Sequence, residues 1–493
     1  MAKVKSSLEL PLRARSPEQS LTDWLYGELR SAILEGRLAP ATRLPATRDF
    51  AALHRLSRGT VVQVFERLHS EGYLCSRVGA GTWVSDRVVA RPQSPADLVT
   101  PDYIHRAVSS YQRPKAFAAP ATMGPSRTFR PGPSRPFRMG DVDLQRFPLK
   151  LWATLASRRA RTIGSWLLAE KDHRGYRPLR EAIAHYLGSS RGVGCTADQV
   201  IIVSGIQQGL DLLARLLLTP GARIWMEDPG YFGARLAFEN AGAQIVPVPV
   251  DSEGISVEAG KQRGEPAAGA YVTPAHQFPL GTAMSLGRRM ELLKWASNSG
   301  TFIIEDDYDS EYRFEGRPIP ALMSLDRSSS VILIGSFSKL LFATVRIGYI
   351  VAPPALADFL VAFRLRTDFR SVHLEQAVLC DFIEKGHLAQ HLRRMRETYS
   401  ARLAALIDAG ERYLHGALNI SPIQSGLYTA AFLQNGMSSH DAEAAAYAHE
   451  VETLSLDRYT IEAPDPKGLL LGFAGFSEAS IRNGVRRLAK ALA

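Results

Sequence analysis

The sequence predicts an α/β protein of more than one domain, in which a small helical head precedes a larger body, for three reasons. The 493 residues exceed what one hydrophobic core usually organises. From about residue 133, short β-branched runs alternate with helical patterns, which predicts a large parallel or mixed sheet with a smaller α/β subdomain. Seven prolines between residues 88 and 132 separate this body from the head. We therefore predict a head over 1–87, a linker over 88–132 and a body over 133–493.

Composition is ordinary for a globular protein, with 45% hydrophobic and 22% charged residues. No apolar run reaches the roughly 18 residues that a membrane span needs, and no secretory signal is visible. The three cysteines are far apart and form no CxxC pair, which indicates a reducing compartment and excludes a cysteine metal site. We expect a cytoplasmic protein with no membrane contact and no bound metal.

The net charge of +10 comes entirely from the first 138 residues, because basic and acidic residues balance in the rest of the chain. A basic head beside a neutral body is typical of nucleic-acid binding. A solubilising surface with a solvated linker would give the same distribution, so charge alone leaves both interpretations open.

The head has the pattern of a helix-turn-helix followed by a β-hairpin. Apolar stripes of helical period predict three helices, over Leu21–Glu35, Thr47–Arg55 and Arg58–Ser70. Thr47 and Ser57 are the expected N-caps of the second and third helices. Two short strand-like runs then flank the glycine tip at 78–81, which predicts a wing. The head is therefore interpreted as a winged helix-turn-helix.

In this arrangement the third helix enters the major groove and its first residues meet the bases. Arg58 can reach a guanine or a phosphate, and Ser57 and Thr60 can hold a phosphate at the helix start. Any one arginine is more often a solvated surface residue, but the ordered set favours DNA, with the wing in the minor groove. The predicted contacts to double-stranded DNA are Arg43, Arg48, Ser57, Arg58, Thr60, Arg77, Gly79 and Gly81.

A cofactor lysine is predicted in the body. Lys339 follows the strand-like run Val331–Ile334, so it would lie at a strand's carboxyl end, where open α/β sheets bind ligands. Ser336 and Ser338 offer hydroxyls for a phosphate, and Arg346 adds a positive group. A lysine after a strand is usually a surface residue. This context instead favours a lysine that forms a Schiff base with pyridoxal 5′-phosphate (PLP).

PLP also needs an acid at its pyridine nitrogen. Asp306 is the candidate, because a carboxylate there keeps the nitrogen protonated, and Tyr308 could hydrogen-bond the ring oxygen O3′. Periodicity does not decide between Asp306 and Asp307. An acidic loop that binds metal or only solvent remains the alternative.

The phosphate and the ring of PLP each have a further candidate partner. Gly205, Ile206 and Gln207 lie between a strand-like run and a helix expected over Leu210–Leu218, and a helix start binds anions. Such a turn is a weak signal taken alone. Tyr231 would stack on the ring, although an aromatic residue there could equally be core packing.

Longer segments of the chain resemble known families. The head resembles the GntR-type winged helix in the segments Leu44–Ala51, Leu56–Val61, Glu71–Leu74 and Gly79–Val84. The body resembles fold-type-I aminotransferases in the PLP motifs and in Asp172–Tyr176, Thr273–Gly281 and Leu471–Phe476. Together, residues from about 20 to 493 resemble the MocR/GabR subfamily of transcriptional regulators.

This resemblance implies roles for the same residues. Lys339 would be the Schiff-base lysine, Asp306 would contact the pyridine nitrogen and Tyr308 would contact O3′. Tyr231 would stack on the ring. The implied phosphate ligands are Gly205, Ile206, Gln207, Ser336, Ser338 and Arg346. The resemblance also implies a head-to-tail, domain-swapped homodimer, with each head over the partner's body.

Three departures from the aminotransferases affect the expected chemistry. Leu470 stands where the enzymes have an arginine that grips the substrate's α-carboxylate. Phe278 replaces an asparagine that contacts O3′, a role that His276 would take over. Glu170 stands where the partner-subunit tyrosine contacts the phosphate.

Three functions follow from these patterns. The first is a DNA-binding transcriptional regulator whose body senses PLP or an amine captured on PLP. The second is an active aminotransferase with a DNA-binding appendage, which Lys339 and Asp306 would permit. The third is a DNA-binding protein whose degenerate body serves only for dimerisation, against which the intact lysine motif argues. We favour the regulator.

Overall fold

The computed structural model describes most of the head and body. The described residues are 20–34, 37–39, 41–71, 73–77, 81–85, 134–162, 172–314, 319–367 and 372–493, together with Leu12 and Gly164. The predicted linker at 88–132, Gly79 and Glu170 lie outside these residues, and so does the side chain of Arg77.

The head consists of three helices and a small antiparallel sheet. Its elements are α1 (Leu21–Leu34), β1 (Arg43–Leu44), α2 (Thr47–Leu53), α3 (Arg58–Ser70), β2 (Leu74–Arg77) and β3 (Gly81–Val84). The sheet order is β1–β3–β2. Apolar side chains of the three helices pack with those of β1 and the hairpin to form one core. This arrangement is the predicted winged helix-turn-helix, with β1 as a strand that the sequence did not indicate.

The sequence predicted the start of one helix of the head correctly and the cap of another incorrectly. The helix α3 has the predicted bounds, and the Ser57 side chain caps it by accepting a hydrogen bond from the Thr60 N–H at 3.0 Å. The expected cap of α2 was wrong, because Thr47 is already helical and Ala46 occupies the cap position without a side-chain bond.

The body contains a large mixed sheet, a smaller antiparallel sheet and covering helices. Its strands are β4 (Val200–Val203), β5 (Arg223–Asp228), β6 (Gln244–Asp251), β7 (Gly254–Ile255), β8 (Gly269–Val272), β9 (Phe302–Asp307), β10 (Val331–Ser336), β11 (Gly348–Val351), β12 (Leu418–Ile420), β13 (Tyr428–Leu433), β14 (Leu454–Ser455) and β15 (Gly468–Gly472). The eight-stranded sheet has the order β4–β11–β10–β9–β8–β5–β6–β7, and the four-stranded sheet has the order β12–β13–β15–β14.

The helices of the body cover both sheets. They are α4 (Leu149–Thr162), α5 (Arg177–Arg191), α6 (Ile206–Leu217), α7 (Phe232–Asn240), α8 (Val257–Gly264), α9 (Leu286–Ser299), α10 (Leu322–Leu325), α11 (Pro354–Arg364), α12 (His373–Glu384), α13 (His387–Tyr413), α14 (Ser439–Ala448) and α15 (Glu478–Leu492). Among the described residues, no helix is both long and apolar enough to cross a membrane.

The centre of the large sheet is parallel, with β10, β9, β8, β5 and β6 paired in that sense. The strand β11 runs antiparallel to both of its neighbours. The strands β9 and β10 are buried along their whole length, as expected for a sheet covered on both faces. Their carboxyl ends therefore lie side by side at one edge, which is where the candidate site forms.

Candidate functional site

Lys339 lies just beyond the carboxyl end of β10. Its Nζ donates a hydrogen bond to the Gly140 carbonyl at 3.2 Å. The carbonyl of the next residue, Leu340, accepts from the Tyr312 hydroxyl at 3.0 Å and lies 3.1 Å from His391 Nε2. The backbone after the lysine is thus fixed by groups from two other segments.

Asp306 lies on β9, beside β10 and paired with Ile334. Its Oδ2 accepts a hydrogen bond from the Tyr271 hydroxyl at 2.7 Å. Its Oδ1 is buried and has no hydrogen-bond partner among the described residues. Burial raises the pKa of this carboxyl to about 8. A buried acceptor without a partner is unfavourable, and a protonated ring nitrogen would supply the missing donor and charge.

The neighbouring acids are held by other groups. Glu305 accepts from the backbone N–H groups of Leu322 and Met323 at 2.7 and 2.9 Å. Asp307 forms a buried ion pair with Arg191 at 2.7 Å. Within the described part of the chain, no group of three or more potential ligands could hold a metal ion. The acids therefore form no common metal centre there. Asp307 Oδ1 also has no hydrogen-bond partner among the described residues, so Asp306 differs from Asp307 in lacking an ion pair such as the one with Arg191.

Tyr308 and His276 lie together beside this edge. The Tyr308 hydroxyl donates to the His276 carbonyl at 2.8 Å and lies 2.8 Å from the Tyr428 hydroxyl. The Nδ1 of His276 lies 3.0 Å from Asp309, and its Nε2 is buried without a partner among the described residues. Both side chains are held in place, but their contacts to O3′ stay predictions.

The candidate phosphate cradle forms where β4, α6 and Arg346 meet. The helix α6 begins at Ile206, four residues before the predicted start, so Ile206 and Gln207 form its first turn. Gly205 has φ +117°, and the Arg346 guanidinium lies 3.5 Å from where its Cβ would stand. The first N–H groups of the helix and this guanidinium together suit a bound dianion.

The remaining predicted cofactor residues lie around this cradle. Ser336 ends β10, and its Oγ accepts from the Ser338 N–H at 3.1 Å. The Tyr231 ring makes an edge contact with Phe278 at 5.6 Å between centroids. The Gln207 side chain donates to the Gly233 carbonyl at 2.8 Å, which joins the cradle to the segment that carries Tyr231.

Leu470 is fully buried on β15. It belongs to an apolar cluster that includes the aromatic residues Tyr428, Tyr308, Phe278 and Tyr459. The ring centroids of Phe278 and Tyr459 lie 4.9 Å apart in an edge contact. An apolar wall therefore surrounds Leu470, and its match to the carboxylate-binding arginine of the enzymes stays a prediction.

The candidate DNA-binding face lies at the start of α3. Arg58 and Arg48 are exposed, and the Ser57 and Thr60 hydroxyls lie 2.8 Å apart at the helix start. Arg43 lies on β1 with its guanidinium over the Trp83 ring and beside Gly81 at the base of the wing. The contacts of these residues with DNA stay predictions.

Several residues of the site escaped the sequence analysis. Tyr271, Gly140 and Arg191 contact Asp306, Lys339 and Asp307 from distant parts of the chain. No local pattern marks Gly140 or Arg191, because their roles depend on contacts between distant parts of the chain. Tyr271 alone had a usable signal, as a tyrosine in a short strand-like run.

A DNA-binding head joined to an aminotransferase-like body defines a class of transcriptional regulator. Residues 21–84 match the gntR family of bacterial regulatory proteins. Residues 152–488 match the class I and II aminotransferase family. The chain therefore belongs to the MocR-type regulators, which join these two domains, and the predicted fold class and family are confirmed.

Three similar proteins illustrate the match. The probable rhizopine catabolism regulatory protein MocR of Rhizobium meliloti is 39% identical over 95% of this chain and 92% of its own length. The pyridoxine biosynthesis regulator PdxR of Corynebacterium glutamicum is 28% identical over 97% of both chains. The crystal structure of the α-aminoadipate aminotransferase LysN of Thermus thermophilus, in complex with N-(5′-phosphopyridoxyl)-L-leucine, is 28% identical with a TM-score of 0.67, over 72% of this chain and 91% of its own.

Proposed function

We propose that this regulator binds PLP covalently through Lys339 and changes its affinity for DNA when PLP, or an amine captured on it, occupies the body. The observation that carries the proposal is the buried Oδ1 of Asp306, which has no hydrogen-bond partner among the described residues. Asp306 lies on β9, which pairs with β10, and Lys339 follows β10 in the chain. The likeness to LysN, solved with a phosphopyridoxyl compound, supports the same cofactor. When bound, PLP would supply an aldehyde that a primary amine can occupy in place of the lysine.

The residues of this chain have distinct roles toward the cofactor. Arg346 and the first turn of α6 would hold the phosphate, and Asp306 would keep the ring nitrogen protonated. Tyr231 would lie on the ring. Tyr308 would exchange its bond to the His276 carbonyl for one to O3′.

We propose the domain limits 1–87, 88–132 and 133–493, a cytoplasmic location and a head-to-tail homodimer as part of the same function.

The wall around Leu470 favours an effector without an α-carboxylate. A carboxylate buried against Leu470 and aromatic rings would lose its hydration without gaining a charged partner, which is costly. PLP itself or a carboxylate-free amine fits this surface better than an α-amino acid. The same apolar wall argues against the alternative function, an active aminotransferase for amino acids.

Absorbance titration combined with DNA binding tests the proposed function. The PLP-loaded protein is titrated with primary amines while its affinity is measured for a duplex selected from random DNA. We expect PLP loading or a carboxylate-free amine to change that affinity. Steady-state turnover of amino acids would contradict the proposal, and so would an affinity for DNA that neither PLP nor amines change.

Leu470→Arg should shift the amine preference toward α-amino acids. A guanidinium at this position can pair with a carboxylate in a bidentate manner, and a hydrogen bond to a charged group contributes about 1.5–3 kcal/mol. We expect the amino-acid concentration at the midpoint of the change in PLP absorbance to fall by roughly 10- to 100-fold. Leu470→Met, which keeps the wall apolar, is the matched control. An equal response of both variants would show that residue 470 does not face the effector.

The PLP-free protein should lose stability as pH rises from about 4 to about 8, relative to Asp306→Asn. Burial raises the pKa of Asp306 from 3.8 to about 8, so folding favours its protonated form. The contribution is complete below the unfolded pKa and is lost as pH rises through the folded value. Urea unfolding of both proteins across this range measures the difference. Parallel stability curves would contradict the assigned environment of Asp306.

A further inference from the structure

The apolar wall extends from the cofactor lysine to the expected stacking partner of PLP. Met139 packs against the wall, and it precedes Gly140, whose carbonyl accepts from Lys339 Nζ at 3.2 Å. At the other end, the Phe278 ring meets the Tyr231 ring edge-on, with 5.6 Å between centroids. A ligand amine captured in place of the lysine would therefore have this wall beside the group attached to its nitrogen.

Phe278 is the central ring of the wall. Three further ring centroids lie around it: Tyr459 at 4.9 Å, Tyr428 at 5.7 Å and Tyr308 at 6.3 Å. All three contacts are edge-on, an arrangement that aromatic rings favour. Phe278, Tyr308 and Tyr459 are partly exposed in the chain. The wall therefore offers aromatic surface to a ligand, with Phe278 in its middle.

Buried hydrogen bonds hold the segment of Phe278 against the segment of Tyr231. The Gln277 side chain donates to the Pro229 carbonyl at 2.9 Å and to the Glu227 carboxylate at 3.3 Å. Both Gln277 and Glu227 are buried. The two segments are therefore fixed relative to each other by bonds that do not involve the aromatic rings themselves.

Tyr459 is held against the same part of the body. Asp228 accepts hydrogen bonds from the backbone N–H groups of residues 461–463 at 2.8–2.9 Å. The Gly230 N–H donates to the Tyr459 carbonyl at 2.9 Å. A surface whose parts are fixed before binding loses less conformational freedom when a ligand arrives. The wall is thus organised to receive an apolar group.

Polar groups next to the wall are bonded to one another. The Tyr308 hydroxyl lies 2.8 Å from the Tyr428 hydroxyl and donates to the His276 carbonyl at 2.8 Å. Asp309 lies 3.0 Å from Nδ1 of the same histidine. The wall therefore presents mainly ring carbons and alkyl groups, and a charged group buried against it would lose hydration without a new partner.

We propose that the effector is an arylalkyl primary amine, whose aromatic group binds the apolar wall, and that Phe278 selects it. The proposal rests on the proposed function, because Lys339 must first carry PLP. In the capture step the C=N bond to Lys339 Nζ breaks as a C=N bond to the effector nitrogen forms. The two hydrogens of the effector amine pass to Nζ, so the exchange needs neither an oxidant nor a reductant.

Absorbance titration of the full-length, PLP-loaded protein with phenethylamine, ethanolamine and putrescine tests the proposal. Each midpoint is divided by the midpoint of the same amine with free PLP, which removes differences in the reactivity of the amines. Burial of the phenyl ring should place the corrected midpoint of phenethylamine roughly 10- to 100-fold below that of ethanolamine. Equal corrected midpoints for the three amines, or the lowest value for the dication putrescine, would overturn the inference.

Phe278→Ala removes the central ring and should raise the phenethylamine midpoint by roughly 5- to 50-fold, with the ethanolamine midpoint changed less than about twofold. Phe359→Ala is the matched control, because Phe359 is a partly buried phenylalanine of α11 in a different apolar cluster. If Phe278→Ala loses PLP absorbance, Tyr459→Ala provides the same comparison. An unchanged phenethylamine midpoint, or equal shifts for both amines, would overturn the inference.

A calorimetric titration of the PLP-free protein tests the wall without any bond to the lysine. The ligands are the N-(5′-phosphopyridoxyl) derivatives of phenethylamine and of ethanolamine, which differ only in the group that faces the wall. We expect the phenethylamine derivative to bind roughly 10- to 100-fold more tightly, and equal dissociation constants would overturn the inference. Absence of covalent PLP on the unmodified protein would instead overturn the proposed function.

Discussion

Lys339→Ala is expected to abolish covalent PLP binding completely. Lys339 follows the carboxyl end of β10, which pairs with the strand that carries Asp306, and an alanine offers no nucleophile. After incubation with PLP, borohydride reduction and removal of free cofactor, absorbance of the bound cofactor should fall to background. PLP should also cease to alter the affinity for DNA, while the protein remains folded.

Lys294→Ala is the matched control for this change, because Lys294 is an exposed lysine on α9. It should retain the same bound cofactor per chain as the unmodified protein. Equal labelling of Lys339→Ala and Lys294→Ala would show that PLP reacts with surface amines, and the sensor function would then be wrong.

Arg58→Ala is expected to weaken DNA binding by about 1–3 kcal/mol and to relax the sequence preference at one position. This corresponds to a roughly 5- to 150-fold rise in the dissociation constant. Arg58 is exposed in the first turn of α3, next to the Ser57 cap. A helix entering the major groove would bring its guanidinium to a base edge.

Arg48→Ala separates base recognition from phosphate contact. Arg48 is exposed on α2, where we expect a contact to the DNA backbone. Its loss should weaken binding about equally on every sequence. The slope of the logarithm of the binding constant against the logarithm of salt concentration should fall by about the contribution of one phosphate contact.

Unaltered affinity of Arg58→Ala for the selected duplex would show that α3 does not read the bases.

Local signals predicted the fold where the structure depends on local chemistry. The Ser57 cap fixed the start of α3, and alternation of strands and helices predicted the body. The start of α6 was placed too late, because its apolar stripe begins after the first turn. That turn is held instead by Gly205 at positive φ and the nearby Arg346.

Long-range contacts bear on what local signals left open. Our preference for Asp306 over Asp307 rests on the ion pair of Asp307 with Arg191, which is 116 positions away in the chain. The hydrogen-bond partner of Lys339 is the carbonyl of Gly140, a backbone group without a side-chain signature.

Peptide mapping of the reduced, PLP-loaded protein tests the central claim most directly. The protein is treated with borohydride, digested and measured by mass spectrometry. We expect the mass of the reduced cofactor on the peptide that contains Lys339, at one group per chain. Cofactor mass on a different lysine, or on none, would contradict a PLP-sensing regulator.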